Sequence, residues 1–278
     1  MQKVYVSADV EGLNGITSFK QVLPEFTADY AQMRPQLHLE LNALIRGLKA
    51  AGVQEIVVND AHNTMTNITL SELPSDIKLI SGKPKKVSMM YGLNESYDGV
   101  ILFAYHSKAT SDGVLAHTFN MYFKSVWIND EKVSEAQLNA ICAKIFNVPV
   151  IMASGDNVFC EEIKKDIGNI ETIETKKAIC GTAAICRIND ELLAEYEQKA
   201  SKIDKLPKIH YQTQDEYELK VEFESSSIAK EIAEKLNIKK EDAFVKFTSS
   251  DFIEIYVMLQ KISAQMTIVS QRSQTQQV

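Results

Sequence analysis

No window of this chain approaches the ~20 consecutive apolar residues that a bilayer-spanning helix requires. Its first residues, Met1-Gln2-Lys3-Val4, lead into a strand and not into a signal peptide, so a cytoplasmic location is expected. Basic charge is in short supply: 30 Lys and Arg stand against 37 Asp and Glu, a net charge of -7. That balance argues against a nucleic-acid partner, whose binders carry a basic face. Cysteines number four, Cys142, Cys160, Cys180 and Cys186, with no Cys-x-x-Cys pair and no zinc-ribbon spacing. The setting of Cys142, Asn139-Ala140-Ile141-Cys142-Ala143, is that of a small hydrophobe in a helix core. Internal repeats and low-complexity linkers are missing as well. Histidine is scarce, with only His38, His62, His106, His117 and His210, and scarcity makes their positions informative.

What remains is an ordinary globular composition, 45% hydrophobic and 24% charged, in 278 residues. That length allows one large domain or two modest ones. Strand-like apolar runs alternate with helical patterns, which predicts an α/β fold with a mostly parallel sheet flanked by helices in three layers. The predicted strands are Val4–Ala8, Glu55–Asp60, Ile77–Ile80, Asp98–Tyr105, Ser125–Asp130 and Val148–Ala153. A long helix is predicted from about Thr27 to Ala51, with Leu37, Leu41, Leu44, Ile45 and Leu48 on one face, Gly52 as its stop, and Pro35 marking a kink or a late start. Further helices are predicted over Ser134–Phe146 and Asn157–Ile167, then long charged amphipathic helices beyond Ile188. After Pro207, a strand (Tyr217–Phe223), a helix (Ser226–Leu236), a strand (Ala243–Thr248) and a helix (Asp251–Met266) form a smaller α+β part. This divides the chain into residues 1–205, an α/β domain, and 206–278, a βαβα subdomain, with a polar, frayed tail from Ser270 to Val278.

The chemistry is concentrated at the carboxyl ends of the predicted strands, where open α/β sheets collect ligands. The first strand runs into Asp9-Val10-Glu11-Gly12. With a period of two, residues 9 and 11 project to one side, and two adjacent carboxylates repel unless something positive lies between them. A metal ion is one such object, and a solvated turn is the bland alternative. The second strand ends in Asn59-Asp60-Ala61-His62, the Val100–Tyr105 run in His106, and the segment after Ile128-Asn129-Asp130 reaches Glu135 at the start of a helix. Three carboxylates and two imidazoles suffice for two ions if one carboxylate bridges, and zinc accepts this mixture at a separation of ~3.5–4 Å. Asp60 is either the acceptor for the second ring proton of His62 or a turn cap. His117, eleven residues past His106 in a glycine-containing loop, is a third nitrogen ligand, an acid/base group or a core histidine.

Taken together, these pieces resemble the M55 family of metallopeptidases, whose type member is a D-aminopeptidase. The motifs are Ser7-Ala8-Asp9-Val10-Glu11-Gly12 with Gly15-Ile16, Val58-Asn59-Asp60-Ala61-His62, Leu79-Ile80-Ser81-Gly82 and Tyr105-His106-Ser107. They continue with Gly113-Val114-Leu115-Ala116-His117-Thr118, Ile128-Asn129-Asp130 with Glu135, Val148-Pro149-Val150 and Gly155-Asp156. The resemblance spans the chain and is densest up to about residue 185. It implies that Asp9 bridges two zinc ions, that Glu11 and His106 complete one and His62 and Glu135 the other, and that His117 is the active-site histidine. It further implies two zinc ions per subunit and a self-compartmentalising homodecamer of two pentameric rings acting on short peptides. The chain departs from the type member at Cys180-Gly181, where the latter has a serine and an arginine, and over Asn120-Met121-Tyr122-Phe123-Lys124.

The expected function is therefore a dinuclear zinc aminopeptidase that removes the N-terminal residue of short peptides, with D- or L-configuration left open, through an activated water. Two other classes compete with it. One is a two-metal hydrolase of another amide or of a phosphoester, for which the strand ends offer only Lys108 as a nearby cation. The other is a non-catalytic, metal-stabilised oligomer that binds peptides, which has no need of His117.

Overall fold

A computed structural model describes residues 1–275, with side chains through Arg272. In chain order the elements begin with β1 (Lys3–Ala8), α1 (Phe19–Val22), α2 (Thr27–Ala50), β2 (Glu55–Asp60), β3 (Lys78–Ile80), β4 (Gly99–Phe103), β5 (Ser125–Ile128) and β6 (Glu131–Lys132). They continue with α3 (Glu135–Ile145), β7 (Val150–Gly155), α4 (Asn157–Ile167), β8 (Glu171–Glu174), β9 (Lys176–Cys180), β10 (Ala183–Cys186) and α5 (Asn189–Ala200). The last are β11 (Tyr217–Glu222), α6 (Ser226–Leu236), β12 (Lys239–Glu241), β13 (Phe244–Ser249) and α7 (Phe252–Thr275).

The main sheet has six strands in the order β3-β2-β1-β4-β7-β8, all parallel. From β1 the order runs outward in both directions, so the crevice between β1 and β4 is the switch point where ligands gather in such sheets. The strands are buried on both faces, and their residues alternate between two cores as the period of two demands. Val4, Val6, Ile56, Val58, Ile101 and Phe103 face α2 and α5. Tyr5, Val57, Val100 and Leu102 face the opposite core, shared with α3, α4, α6 and α7.

Helix α2 buries Leu37, Leu41, Leu44 and Leu48 against the sheet and crosses α5 closely at Gly47. A Cβ there would lie 2.6 Å from the Ala200 Cβ and the Glu197 carbonyl oxygen, so a side chain would push the two helices apart. Pro35 sits inside this continuous helix, so the late start considered from the sequence does not occur.

Strand β5 corrects one expectation. It does not extend the parallel sheet but joins an antiparallel sheet of order β12-β13-β11-β5-β6, pairing with β11. The C-terminal strands thus share a sheet with a segment from the middle of the chain, and α7 packs on α3. Strands β8, β9 and β10 are absent from the sequence reading, and only the single helix α5 stands where long charged helices were expected beyond Ile188. Helix α7 runs through Ser270 to Thr275, where a frayed tail was expected; residues 276–278 lie outside the described ones. No described helix is long and apolar enough to cross a membrane.

Candidate metal centre

Strand β1 stops at Ala8, so Asp9 and Glu11 lie in the turn that follows it and not on the strand itself. The turn is pinned to the end of β4, where Asp9 N–H donates to the Phe103 carbonyl (2.9 Å) and Gly12 N–H to the Ala104 carbonyl (2.8 Å). Gly12 is obligatory there, because a Cβ would come within 2.2 Å of the Tyr105 carbonyl oxygen. Both carboxylates are almost completely buried.

His62 reaches the same point from the end of β2. Its Nδ1 lies 3.1 Å from Asp9 Oδ1 and 3.2 Å from Glu11 Oε2, and its Nε2 lies 2.6 Å from the Val22 carbonyl oxygen. Asp60 does not touch the His62 ring. Its carboxylate accepts from the backbone N–H groups of Asn67 and Ile68 and from Asn67 Nδ2, while Asn67 Nδ2 also donates to the His62 carbonyl. Of the two sequence readings of Asp60, the turn cap is the one the structure supports.

His106 and His117 come from the segment after β4. His106 Nε2 lies 3.3 Å from Glu135 Oε1 and 3.7 Å from Asp9 Oδ2, with Nδ1 3.0 Å from the Ser107 carbonyl oxygen. His117 Nδ1 lies 2.8 Å from the Leu115 carbonyl oxygen, and its Nε2 is 3.8 Å from Glu135 Oε1. The two rings stack with centroids 4.0 Å apart, and Phe19 meets His117 edge-on. Ala104 and Leu115, two residues ahead of each histidine, have positive φ (57° and 55°), as backbone at functional sites often does. Asp156 holds the His117 loop by accepting from Val114 N–H (2.7 Å) while it caps α4 through Phe159 N–H.

Glu135 is delivered by the first turn of α3 and not by the end of a parallel strand. A capping box of Ser134 and Gln137 fixes that helix start, and Phe119 N–H donates to Glu135 Oε1 (2.7 Å).

All six residues named from the sequence therefore meet in one place. Their donor atoms form three close groups: Asp9, Glu11 and His62; Asp9, His106 and Glu135; and Glu11, His106 and His117. Asp9 is common to the first two, as a bridging carboxylate would be. Among the described residues no such group joins His62 to Glu135, the pairing that the family resemblance implies for one ion.

The ring nitrogens show what the cluster requires. In each of the three histidines one nitrogen faces a backbone carbonyl, which only accepts, so the proton sits on that nitrogen. The other nitrogen then aims a lone pair at carboxylate oxygens, which is repulsive unless a proton or a cation lies between them. The electrostatics carry the same message. Burial resists charge on His62, but Glu11 and Asp9 outweigh it and hold the imidazole well above its usual range. His106 is pushed up to about 10, with Glu135 the main opponent of burial. Asp9 is pushed up to about 7 by burial and then by the Glu11 carboxylate. Burial would raise Glu11 and Glu135 too, yet His62 holds the first, and His106 the second, below the usual carboxylate range. His117 is lowered, by burial and then by the neighbouring His106.

A cation fits this arrangement. Glu11 Oε2 is buried and has no hydrogen-bond donor, although His62 Nδ1 lies within ion-pair reach. Buried carboxylates of this kind are paired or coordinate metals, and a mixed imidazole and carboxylate donor set suits zinc. Lys108, the one cation that the sequence offered near the strand ends, is paired with Asp166 at 2.9 Å. Two surface clefts, one between α6 and α7 and one beside Lys164 and Lys199, include none of the six residues.

Three supporting groups escaped the sequence reading. Lys176 and Thr175 at the start of β9, and Glu40 in α2, all bond the backbone of residues 11–16. A glutamate on the leucine face of a helix is the signal that could have found Glu40; Lys176 and Thr175 carry no comparable mark.

Comparison with known proteins points the same way. The family model for M55 peptidases, described as D-aminopeptidase, matches residues 2–261. The D-aminopeptidase of Bacillus subtilis (strain 168) is 33% identical over 184 residues, covering 66% of this chain and 67% of that protein. The solved structure of the Zn-dependent D-aminopeptidase DppA from Bacillus subtilis, a self-compartmentalizing protease, superposes with a TM-score of 0.88 at 28% identity, covering 94% of this chain and 96% of the other.

Proposed function

This chain belongs to the M55 D-aminopeptidase family, and from that premise we propose that it is a dinuclear zinc aminopeptidase removing the N-terminal residue, a D-amino acid, from short peptides. Asp9, Glu11, His62, His106 and Glu135 would hold the metal, Asp9 being the carboxylate common to the Asp9–Glu11–His62 and Asp9–His106–Glu135 donor groups. One observation carries this reading: two buried histidines, His62 and His106, and the half-buried His117 each commit one ring nitrogen to a backbone carbonyl and turn the other toward buried carboxylates.

When bound, zinc supplies Lewis acidity toward the scissile carbonyl and toward the attacking water. The protein's own groups do the rest. The Ser107 and Val22 carbonyls orient the His106 and His62 rings so that Nε2 and Nδ1, respectively, present lone pairs. His117 differs from both. It is the least buried of the three rings, its Nδ1–H is held by the Leu115 carbonyl, and burial and then His106 lower its pKa, which favours the neutral imidazole. Its Nε2 is thus a base beside the metal ligands, placed to take a proton from the nucleophile and return it to the leaving amine.

The phosphoester alternative lacks support, because Lys108 is occupied by Asp166. Kinship with a self-compartmentalizing protease favours a homo-oligomer, which we take to be a cytoplasmic decamer of two pentameric rings limiting access to short peptides. The test combines metal analysis with hydrolysis of D-alanyl, L-alanyl and glycyl anilides and of nitrophenyl phosphate. The expected result is close to two zinc ions per chain and cleavage of the D-alanyl anilide. Full peptidase activity in a metal-free preparation would overturn the proposal.

A further inference from the structure

The segment carrying Glu11 has no regular secondary structure, yet residues 9–14 are buried. Buried backbone carbonyls need donors, and here one side chain provides most of them. Lys176 is 1% exposed, and among the described residues its ammonium bonds backbone carbonyls and forms no ion pair. Its ammonium donates to the carbonyls of Glu11 and Ile16 (2.5 Å each) and of Leu13 (2.8 Å). All three donors of the ammonium are thereby used. Thr175 Oγ1 donates to the Gly12 carbonyl, the one oxygen between those of Glu11 and Leu13. The backbone oxygens of residues 11, 12, 13 and 16 are therefore held from the start of β9, about 160 residues further along the chain.

We propose that Lys176, with Thr175, is a positioning clamp that sets the Glu11 carboxylate for metal binding. Lys176 touches neither substrate nor reacting atoms; it acts through the Glu11–Ile16 backbone. The geometry explains why a lysine is needed: one compact cation with three donors gathers carbonyls that otherwise point apart, and no neutral side chain offers three N–H groups at one atom. Asp156, Glu40 and Glu11 favour the charged ammonium against its burial, and its donors are consumed by carbonyls, so it leaves the carboxylate lone pairs free.

This inference rests on the metal-centre reading, and the experiment separates the two. Wild type, Lys176→Met and Thr175→Val are titrated with cobalt(II), followed by its visible absorption bands, and with zinc against a chromophoric chelator. Folding is checked by circular dichroism and the thermal midpoint. Wild type that binds neither ion defeats the metal reading itself. If wild type binds, Lys176→Met is expected to lose ~10–100-fold in metal affinity, the range typical of partners behind the ligands, with altered cobalt bands and a fall in kcat at nearly constant KM. Thr175→Val, isosteric and lacking one hydrogen bond, should show the same changes to a smaller degree. If Lys176→Met does not fold, Thr175→Val decides alone. A folded variant with wild-type cobalt bands and zinc affinity would overturn the clamp.

Discussion

The imidazoles of His106 and His117 lie stacked, 9° from parallel with their centroids 4.0 Å apart. Two rings so close cannot both carry charge without repulsion, and the environment divides them. Glu135, Glu11 and Asp9 raise His106, whereas burial and His106 itself lower His117. One ring is therefore suited to sit among carboxylates beside a cation, and the other to stay a neutral base.

That division predicts two different phenotypes. His117→Ala should lower turnover by roughly 10²–10⁴-fold, the usual range for a general acid/base, while metal content stays at the wild-type level. His106→Ala should lose metal along with activity. Metal analysis of both variants, run beside the anilide assay, distinguishes them; equal metal loss in both would place His117 among the ligands instead.

Asp9 is the one residue common to the two donor groups that do not include His117, so its removal should not be a half-effect. Asp9→Ala is expected to lose both ions, whereas Glu135→Ala should keep one, since the group of Asp9, Glu11 and His62 does not depend on it. Stoichiometry per chain, measured by atomic emission on gel-filtered protein, reads this directly. One ion retained by Asp9→Ala would contradict a bridging role.

The six clustered residues are legible in the sequence because each is chemically costly and all but Glu135, which follows Glu131-Lys132-Val133-Ser134, stand close behind an apolar run. His62 follows Ile56–Asp60 and His106 follows Val100–Tyr105, places where a parallel strand must hand its chain to a loop. Glu135 was legible for a partly wrong reason, since β5 belongs to the antiparallel sheet and the residue arrives on the first turn of α3. Four residues, Ser125–Ile128, carry no signal of direction; only the pairing partner β11, some ninety residues later, decides it. The β9–β10 hairpin was invisible for a related reason. Its outward residues include Ile179 and Ile185, both largely exposed, so the expected alternation of apolar and polar positions never appears. Lys176 was hidden because its partners are backbone carbonyls, which leave no trace in side-chain chemistry.

Glu40 offers a test of stability away from the ligands. It is completely buried in α2, accepts from Asn14 N–H, Gln36 Nε2 and Tyr196 Oη, and is pushed up to about 7 mainly by burial. A carboxyl whose folded pKa exceeds its unfolded value binds its proton more tightly when folded. Its contribution is therefore full below the unfolded pKa near 4.5 and is lost as pH rises through about 7. Glu40→Gln, which mimics the protonated form, should gain on wild type by up to about 3 kcal/mol between pH 4.5 and pH 8. Urea unfolding of both chelator-treated proteins at the two pH values measures the difference. A gap that does not change with pH would mean that the carboxyl is ionised throughout.

The same reasoning about protons makes metal loading pH-dependent. With one nitrogen of His62 and of His106 hydrogen-bonded to a carbonyl, the nitrogen facing the carboxylates is where a second proton sits in the metal-free chain. Glu11 and Glu135 hold that proton in place, which is why both rings are raised. A metal ion needs the same lone pairs, so binding must expel the protons, and affinity should climb as pH rises across the neutral range. Zinc added at pH 7 should release roughly two protons per chain from these two rings. Calorimetry in buffers of different ionisation enthalpy counts them, because the apparent heat shifts in proportion to the number released. His62→Ala should release about one fewer. Zinc binding at full stoichiometry with no proton release would mean that the rings stand neutral with lone pairs against carboxylates, and that no proton bridges them to Glu11 and Glu135 in the metal-free chain.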